Sequence, residues 1–213
     1  EEGLPLHPLK EQQDSVGEWR QIGLGIMGLA DCLIKLGLTY GEEDAVNMCD
    51  NIGFAMADSA IAASALLAKE KGPFAKCNIE EIMSTPFFEA NTSEKTRELV
   101  RKYGLRNSQL LTIAPTGTLS TMLGISGGIE PVYANYYERK TESLHGTDVY
   151  YKVYTKIVES YMKQHGLKSD SELPDYFVTA MTLEYRQRID MQSIWQTHID
   201  ASISSTVNVP NRF

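Results

Sequence analysis

The chain has 213 residues, of which 42% are hydrophobic, so it is long enough for one large domain or about two small ones with a real core. Lys and Arg number 20 against 28 Asp and Glu, and the net charge of −8 argues against binding to a nucleic acid polymer, which relies on clustered cations. Its apolar stretches fall short of the ~20 residues that cross a bilayer, and its three cysteines form no CxxC pair. These features predict a cytoplasmic protein without membrane contact, disulfide framework or zinc knuckle.

The first residues, 1–18, are polar and punctuated by proline, which predicts a lead-in from an upstream segment before a main domain over 19–213. Apolar residues at helical spacing predict helices over 26–36, 42–71, 79–83, 93–103, 149–164 and 173–181, and from residue 190 onward. Apolar or alternating runs predict strands over 110–114, 132–139 and 205–209. This mixture of helices and strands predicts an α/β architecture.

A glycine-rich string near the start, Gly23 to Gly28, matches the GxGxxG pattern of dinucleotide-binding folds. That pattern requires a buried strand directly before it, whereas residues 17–21 are polar. A glycine-rich bend entering a helix is therefore favoured, and a nicotinamide-dependent dehydrogenase remains only as an alternative.

The most informative stretch covers residues 107–131, NSQLLTIAPTGTLSTMLGISGGIEP. An apolar run ends at a breaker cluster, 115–120, and a second glycine cluster follows at 126–128. A buried strand that breaks and restarts as a helix points several backbone N–H groups at one place, where they bind anions and most often phosphate. The pattern therefore predicts a phosphorylated ligand.

The same cluster lacks the Gly-Lys-Ser/Thr ending of a Walker A loop, so we expect phosphate binding rather than phosphoryl transfer. An ordinary strand-to-helix turn with a threonine cap is the alternative interpretation. Glu130 would either orient a ligand or cap its own loop.

The remaining reactive side chains show no catalytic or metal-binding spacing. The cysteines, at 32, 49 and 77, are expected to be small buried hydrophobes. The histidines are scattered, which favours surface or hydrogen-bonded core positions. The tyrosines at 133–137 and 150–154 are interpreted as packing aromatics. No catalytic residue and no metal ligand is predicted.

Four blocks of the sequence together resemble the large, catalytic subunit of ribonucleotide reductase. They cover nearly the whole chain in the family's order and spacing, at residues 20–31, 111–120, 126–131, and 191–196 continuing to 200–210. The Pro-Thr-Gly-Thr and Gly-Gly-Ile-Glu-Pro strings lie in the second and third blocks.

The resemblance implies an α/β fold, a helix-rich half of the family's ten-stranded barrel, which surrounds a finger loop carrying a thiyl-radical cysteine. It also implies a substrate site in which a turn holds the phosphates of a ribonucleotide, mostly through main chain. The turn residues are Pro115, Thr116, Gly117, Thr118, Leu119 and Ser120. The residues implied to line the same cavity are Ile129, Glu130 and Pro131.

Several family features are not found in this sequence: the Asn-x-Cys-x-Glu finger-loop motif, the redox and shuttle cysteines, the effector-binding region and the final barrel strand. Ser205 also stands where the family usually has lysine. The expectation is a C-terminal portion of the barrel domain that is inactive alone. A non-catalytic nucleotide-binding module is the alternative.

The full enzyme implied by the resemblance reduces ribonucleotides to deoxyribonucleotides with a thiyl radical, for DNA replication. Its implied partners are a ribonucleotide substrate, the N-terminal half of the catalytic subunit, a thioredoxin-type reductant and a second copy in a homodimer. The Pro-Thr-Gly-Thr form favours the adenosylcobalamin-dependent class, and the class with a dimetal radical subunit stays open. Di- and triphosphate substrates are not distinguished, because backbone amides grip either.

Overall fold

A computed structural model describes residues 7–141 and 149–209, which are rich in helix. The α-helices in this part of the chain are α1 Lys10–Trp19, α2 Leu29–Leu36, α3 Glu43–Lys71, α4 Ile79–Met83, α5 Pro86–Ala90, α6 Glu94–Tyr103, α7 Gly117–Leu123, α8 Lys156–His165 and α9 Tyr185–His198. Two strands, β1 Tyr136–Thr141 and β2 Val149–Tyr154, pair antiparallel with Tyr136 opposite Tyr154. The chain divides into two compact units.

The first unit comprises the residues up to Gly25, Met48–Ala114 and Ser193–Ile203. Its core consists of side chains that are at most a few percent exposed: Ile61, Phe74, Phe88, Val100, Leu111, Ile113 and Trp195. Burying a large apolar side chain contributes roughly 1.5–3 kcal/mol, so this cluster holds the unit together.

Three extended segments of the first unit run parallel to one another. Leu24 pairs with Leu111, and Ile113 pairs with Ile203, each as a single parallel bridge. Leu111 and Ile113 are buried, as the prediction of a strand over 110–114 required, but the pairing is limited to these bridges. Parallel pairing of buried apolar segments is the arrangement found inside α/β sheets and barrels.

The carboxylate of Asp200 fixes the start of this pairing. Its two oxygens accept the N–H groups of Leu110 and Leu111 at 2.8 and 2.7 Å. The residue as a whole is exposed, but its carboxyl group is partly enclosed. This desolvation raises the pKa of Asp200 and outweighs the lowering effect of the two backbone hydrogen bonds.

The second unit comprises Ile26–Asn47, Pro115–Gln192 and the residues from Ser204 onward. Its buried apolar residues come mainly from α2, α8 and the loop after α7: Leu29, Leu33, Tyr40, Ile129, Val158, Met162 and Phe177. The Tyr40 hydroxyl donates a hydrogen bond of 2.6 Å to the carbonyl oxygen of Ile129, so α2 and the following turn hold the loop at 126–131.

Most helices of the first half agree with the sequence prediction. The helix at Ile79–Met83 has the predicted bounds, and α2, α3 and α6 begin one to three residues later than predicted. Ser93 caps α6, since its hydroxyl accepts the N–H of Thr96 at 3.4 Å. The helix α1, within the predicted lead-in, was not expected, and it buries none of its residues.

The prediction of one helix over 149–164 was wrong in its first part. Residues Val149–Tyr154 form β2, and the helix α8 begins only at Lys156. Thr155 between them is extended, at φ −64° and ψ 154°. The helical spacing had been counted across this boundary, although the β-branched and aromatic residues before it favour a strand.

Three further boundaries were wrong. Residues 173–181 hold turns instead of a helix, after a short 3-10 helix at Asp170–Glu172. The last helix begins at Tyr185, not at residue 190, and residues 205–209 form no strand. The strand predicted over 132–139 begins at Tyr136, while Val132 makes only a single bridge to Thr179.

The helix α3 is long and apolar enough to cross a membrane by length and composition, a test that buried core helices also pass. The sequence prediction had considered only uninterrupted apolar stretches, which are shorter. In this structure Ala57, Ile61 and Ala65 of α3 are buried, and its Asp58 carboxylate accepts the N–H of Ser93 at 2.8 Å. These contacts pack one face of α3 into the first unit.

Candidate functional site

The turn that enters α7 has a strained backbone at Thr116. This residue is left-handed, at φ 49° and ψ 19°, and it is the N-cap of α7. A β-branched residue is rarely found in this region, which costs of order 1–3 kcal/mol and occurs most often at functional sites. The strain therefore marks this turn as a candidate site.

The side chain of Thr116 does not cap the helix that it begins. Its hydroxyl oxygen instead accepts the N–H of Gly128 at 2.9 Å, and α7 has no side-chain cap. The first hydrogen bond of the helix runs from the N–H of Ser120 to the carbonyl oxygen of Thr116 at 2.8 Å. The amides of residues 117–119 precede this bond, and all three residues are exposed. The alternative interpretation was therefore wrong in expecting a threonine side-chain cap.

The glycine cluster at 126–128 packs closely on this turn. A side chain at Gly127 would lie 3.3 Å from the carbonyl oxygen of Pro115 and 3.4 Å from the hydroxyl oxygen of Ser120. A side chain at Gly117, in contrast, would meet no atom within 4 Å. The loop thus supports the turn from one side, and open space lies beside Gly117.

The start of the loop is anchored by Asp31 of α2. Its carboxylate accepts the N–H of Ser126 at 2.7 Å, and the residue is 8% exposed. The carbonyl oxygen of Ser126 accepts the N–H of Gly28 at 2.8 Å. Asp31 was not identified from the sequence as a site residue, although it follows the Gly23 to Gly28 string directly.

The predicted site residues differ in exposure. Four residues of the turn are exposed: Pro115, Gly117, Thr118 and Leu119. Thr116 and Glu130 are half-buried, and three residues are buried: Ser120, Ile129 and Pro131. The turn and the loop are brought together, and the side chain of Ile129 belongs to the core of the second unit. Its predicted role in lining a ligand cavity stays a prediction.

Glu130 makes a contact that neither sequence interpretation expected. Its carboxylate accepts the N–H of Thr206 at 2.9 Å, and it lies 3.9 Å from the guanidinium of Arg188. Arg188 is 3% exposed and was missed in the sequence. No local signal identified it, because the predicted last helix began at residue 190, after Arg188.

The GxGxxG string has a packing explanation. A side chain at Gly23 would lie 2.6 Å from the methyl group of Thr112, and one at Gly25 would overlap the carbonyl oxygen of Thr112. These two glycines allow the parallel bridge between Leu24 and Leu111. Close packing therefore explains these glycines, which supports the interpretation as a glycine-rich bend over that as a dinucleotide-binding site.

The other reactive side chains differ in burial. Cys49 is buried as predicted, whereas Cys77 is half-buried and Cys32 is exposed, so the prediction was wrong for these two. His198 is buried, and its ring nitrogens bind Asn91 at 2.6 Å and Asp50 at 2.8 Å. Over residues 7–141 and 149–209, no three His, Cys, Asp or Glu side chains could hold a metal ion together.

The protein-family model described as ribonucleotide reductase, barrel domain, matches residues 4–213 of the sequence. The chain belongs to this family. The match begins inside the segment 1–18 and continues through the turn at Thr116 and the loop at Gly128.

The chain is similar in sequence to reductases of other organisms. It is 29% identical to a vitamin B12-dependent ribonucleoside-diphosphate reductase of Mycobacterium tuberculosis, over 96% of this chain and 29% of the relative. It is 32% identical to a ribonucleoside-diphosphate reductase subunit alpha of Chlamydia pneumoniae, over 66% of this chain and 15% of the relative. The barrel-domain chain thus spans less than a third of the length of these relatives.

A solved structure supports the fold. The class Id ribonucleotide reductase alpha subunit of Actinobacillus ureae matches with a TM-score of 0.62 and 20% identity, over 88% of this chain and 33% of that one. The coarse fold assignment, a part of the reductase barrel domain, is therefore confirmed. The described part of the barrel-domain chain has only two strands besides single bridges, so the finer assignment to half of a ten-stranded barrel stays a prediction.

Proposed function

We propose that this chain binds the phosphates of a ribonucleotide at the turn over residues 115–120, as part of the catalytic subunit of a ribonucleotide reductase. The observation that carries the proposal is the Thr116 hydroxyl, which holds Gly128 and leaves the start of α7 without a side-chain cap. The amides of the exposed residues 117–119, which precede the first hydrogen bond of the helix, are then available to donate hydrogen bonds to phosphate oxygens.

The geometry favours binding over chemistry at the phosphate. The turn offers backbone amides and hydroxyl groups, and the second unit fixes them through Gly128 and Ser126. Backbone donors that are held in place before binding lose little entropy when an anion arrives. We assign to these residues the binding and orientation of the substrate and no step of bond breaking.

The complete protein would reduce ribonucleotides to deoxyribonucleotides in the cytoplasm, as a homodimer with a thioredoxin-type reductant. The chain alone is expected to be inactive, because the family's Asn-x-Cys-x-Glu finger-loop motif is not found in its sequence. The name of the Mycobacterium tuberculosis relative favours adenosylcobalamin, which would supply the radical; a dimetal radical subunit is the other candidate. The described residues identify no position for either group.

A pair of substitutions at Gly117 tests the phosphate site. Gly117→Asp places a carboxylate beside the amides of residues 117–119, where open space receives it and the helix dipole favours it. Gly117→Asn has the same shape without the charge. We expect the aspartate to weaken ADP binding about tenfold or more through charge repulsion, while the asparagine changes it little.

Isothermal titration with ADP and with adenosine measures this effect, and thermal unfolding checks that both variants fold. Equal binding of ADP by the aspartate variant and the unchanged chain would exclude the turn as the phosphate site. The alternative, a non-catalytic nucleotide-binding module, predicts the same binding. It is distinguished by co-expression with the N-terminal half of a reductase subunit, which restores activity only under the first proposal.

A further inference from the structure

Arg188 is a buried cation whose hydrogen bonds are incomplete. Its side chain is 3% exposed, and its Nη1 donates to the Gln192 side-chain oxygen at 3.3 Å. Its Nε and Nη2 atoms have no hydrogen-bond acceptor in the part of the chain that the structure describes. Burying such donors without a partner is costly, so a group that completes them is expected.

The unpaired nitrogens form one edge of the guanidinium. Nε and Nη2 together are the planar fork that receives a carboxylate through two parallel hydrogen bonds. Glu130 presents a carboxylate oxygen 3.9 Å from Nη2, about 1 Å beyond a charged hydrogen bond.

The cavity that Arg188 helps to line is small. The cavity next to Arg188 is lined by Pro131, Leu183, Thr206 and neighbouring residues, and its volume is ≈ 10 Å³. That volume holds about one water molecule, so a phosphate group does not fit. The carboxylate that forms an ion pair with Arg188 is that of Glu130, which is therefore the candidate to complete the fork.

Glu130 connects Arg188 to the turn. Its carboxylate accepts the N–H of Thr206, and its own N–H donates to the carbonyl oxygen of Gly127 at 2.9 Å. The next residue, Gly128, donates to the Thr116 hydroxyl. One continuous series of contacts therefore runs from the buried guanidinium to the residue that begins α7.

We infer that Arg188 is a positioning residue for the turn. By holding the carboxylate of Glu130, it fixes the loop at 126–131 against Thr116 and fastens Thr206 to the same loop. The importance of this loop for ligand binding rests on the proposed function, whereas the positioning itself does not.

Amide hydrogen exchange of the whole chain tests the inference without a ligand. Arg188→Met removes the charge and the fork while keeping the length of the side chain. We expect exchange at Gly128 and Thr206 to become about tenfold faster. Arg188→Lys retains the attraction to Glu130 and should restore part of the protection. Arg186→Met, on an exposed residue of the same helix, is the matched control and should change nothing.

A double-mutant cycle shows whether Arg188 acts through Glu130. Glu130→Gln should also speed exchange at Gly128, and adding Arg188→Met should then have little further effect. Additive effects, or unchanged exchange in Arg188→Met, would overturn the inference. If Arg188→Met does not fold, Glu130→Gln alone decides, because its partly exposed side chain tolerates the change.

Titration of the same variants with ADP separates this inference from the proposed function. Weaker ADP binding by Arg188→Met and Glu130→Gln, with Arg186→Met unaffected, supports both. If the unchanged chain does not bind ADP but the exchange data follow the expectation, the proposed function fails and the positioning role stands. If ADP binds and Arg188→Met neither weakens it nor changes exchange, only the positioning role fails.

Discussion

The hydroxyl oxygen of Thr116 accepts the N–H of Gly128 across a gap of 12 residues, at 2.9 Å. This bond connects the helix start to the glycine loop and takes the threonine away from its usual capping role. The Thr116 hydroxyl oxygen therefore has two effects: it holds the turn against the loop, and it leaves the amides at the start of α7 without a side-chain cap.

Replacing Thr116 with valine should weaken both properties. The valine keeps the shape of the side chain but leaves the Gly128 N–H without its acceptor, which costs about 1–3 kcal/mol in the free energy of unfolding. Urea denaturation measures this loss, and ADP titration measures the accompanying loss of affinity. Thr118→Val, at an exposed position in the same turn, is the control for the stability measurement. Equal stability of the two variants would contradict the role given to Thr116.

Asp31 should prove important for the loop although it is outside the predicted site. Asp31→Ala removes the acceptor of the Ser126 N–H in a nearly buried position. We expect the free energy of unfolding to fall by about 1–3 kcal/mol. Asp31→Asn retains one acceptor oxygen and should lose less. Thermal unfolding of the three proteins gives the comparison, and an unchanged midpoint for the alanine variant would argue against the anchor.

Replacing a helical glycine with alanine should lower the stability of the chain at one position and raise it at another. At Gly53 of α3 the new methyl group would lie 2.7 Å from the ring carbon Cγ of His198, which must then move away from Asn91 and Asp50. Overpacking of this kind costs about 1–3 kcal/mol. At Gly17 of α1 no atom lies within 4 Å, so alanine should stabilise the chain by about 0.5–1 kcal/mol. Chemical denaturation of both variants tests this sign difference.

Because of the ion pair between Asp170 and Lys152, the free energy of unfolding should depend on pH in the acidic range. The Lys152 ammonium donates a hydrogen bond of 2.8 Å to Asp170 and holds the pKa of that carboxyl below its ordinary value. A lowered pKa in the folded state gives a contribution that is present above the unfolded pKa of ~3.9 and is lost as the pH falls through the folded pKa.

Stability measured between pH 6 and pH 2 should therefore decline more steeply for the unchanged chain than for Asp170→Asn. Salt should reduce the difference, because both side chains are partly exposed and the pair is screened. Parallel curves for the two proteins would show that the pair contributes nothing in this range.

The sequence predicted helices best where one apolar face and a cap define them. Ile79–Met83 and the helix after Ser93 have local signals at both ends, and their bounds agree with the structure to within one residue. The prediction at Val149 failed because its apolar spacing also fits a helix, and the strand that its β-branched and aromatic residues favour is stabilised by pairing with Tyr136–Thr141. Such pairing is a tertiary property that a local pattern does not contain.

The candidate site was also predictable only in part. The Pro-Thr-Gly string and the glycine cluster pointed to the turn and to the loop, which the structure brings together through Thr116 and Gly128. Arg188 and Asp31 were missed, since each acts through a backbone or carboxylate group distant in sequence. Nothing in local spacing connects Arg188 to Glu130, 58 positions earlier in the printed sequence.

The carboxylate of Asp200, which can be protonated, fixes the register of the parallel segments in the first unit. A slip of one residue would turn Leu111 and Ile113 from the core to the opposite face, and the carboxylate opposes it by holding two consecutive amides. Because burial raises the pKa of Asp200, its carboxylate loses its charge at a less acidic pH than an ordinary aspartate would. A carboxyl whose pKa is raised in the folded state binds its proton more tightly there than in the unfolded chain, so mild acid should not unfold these segments through Asp200.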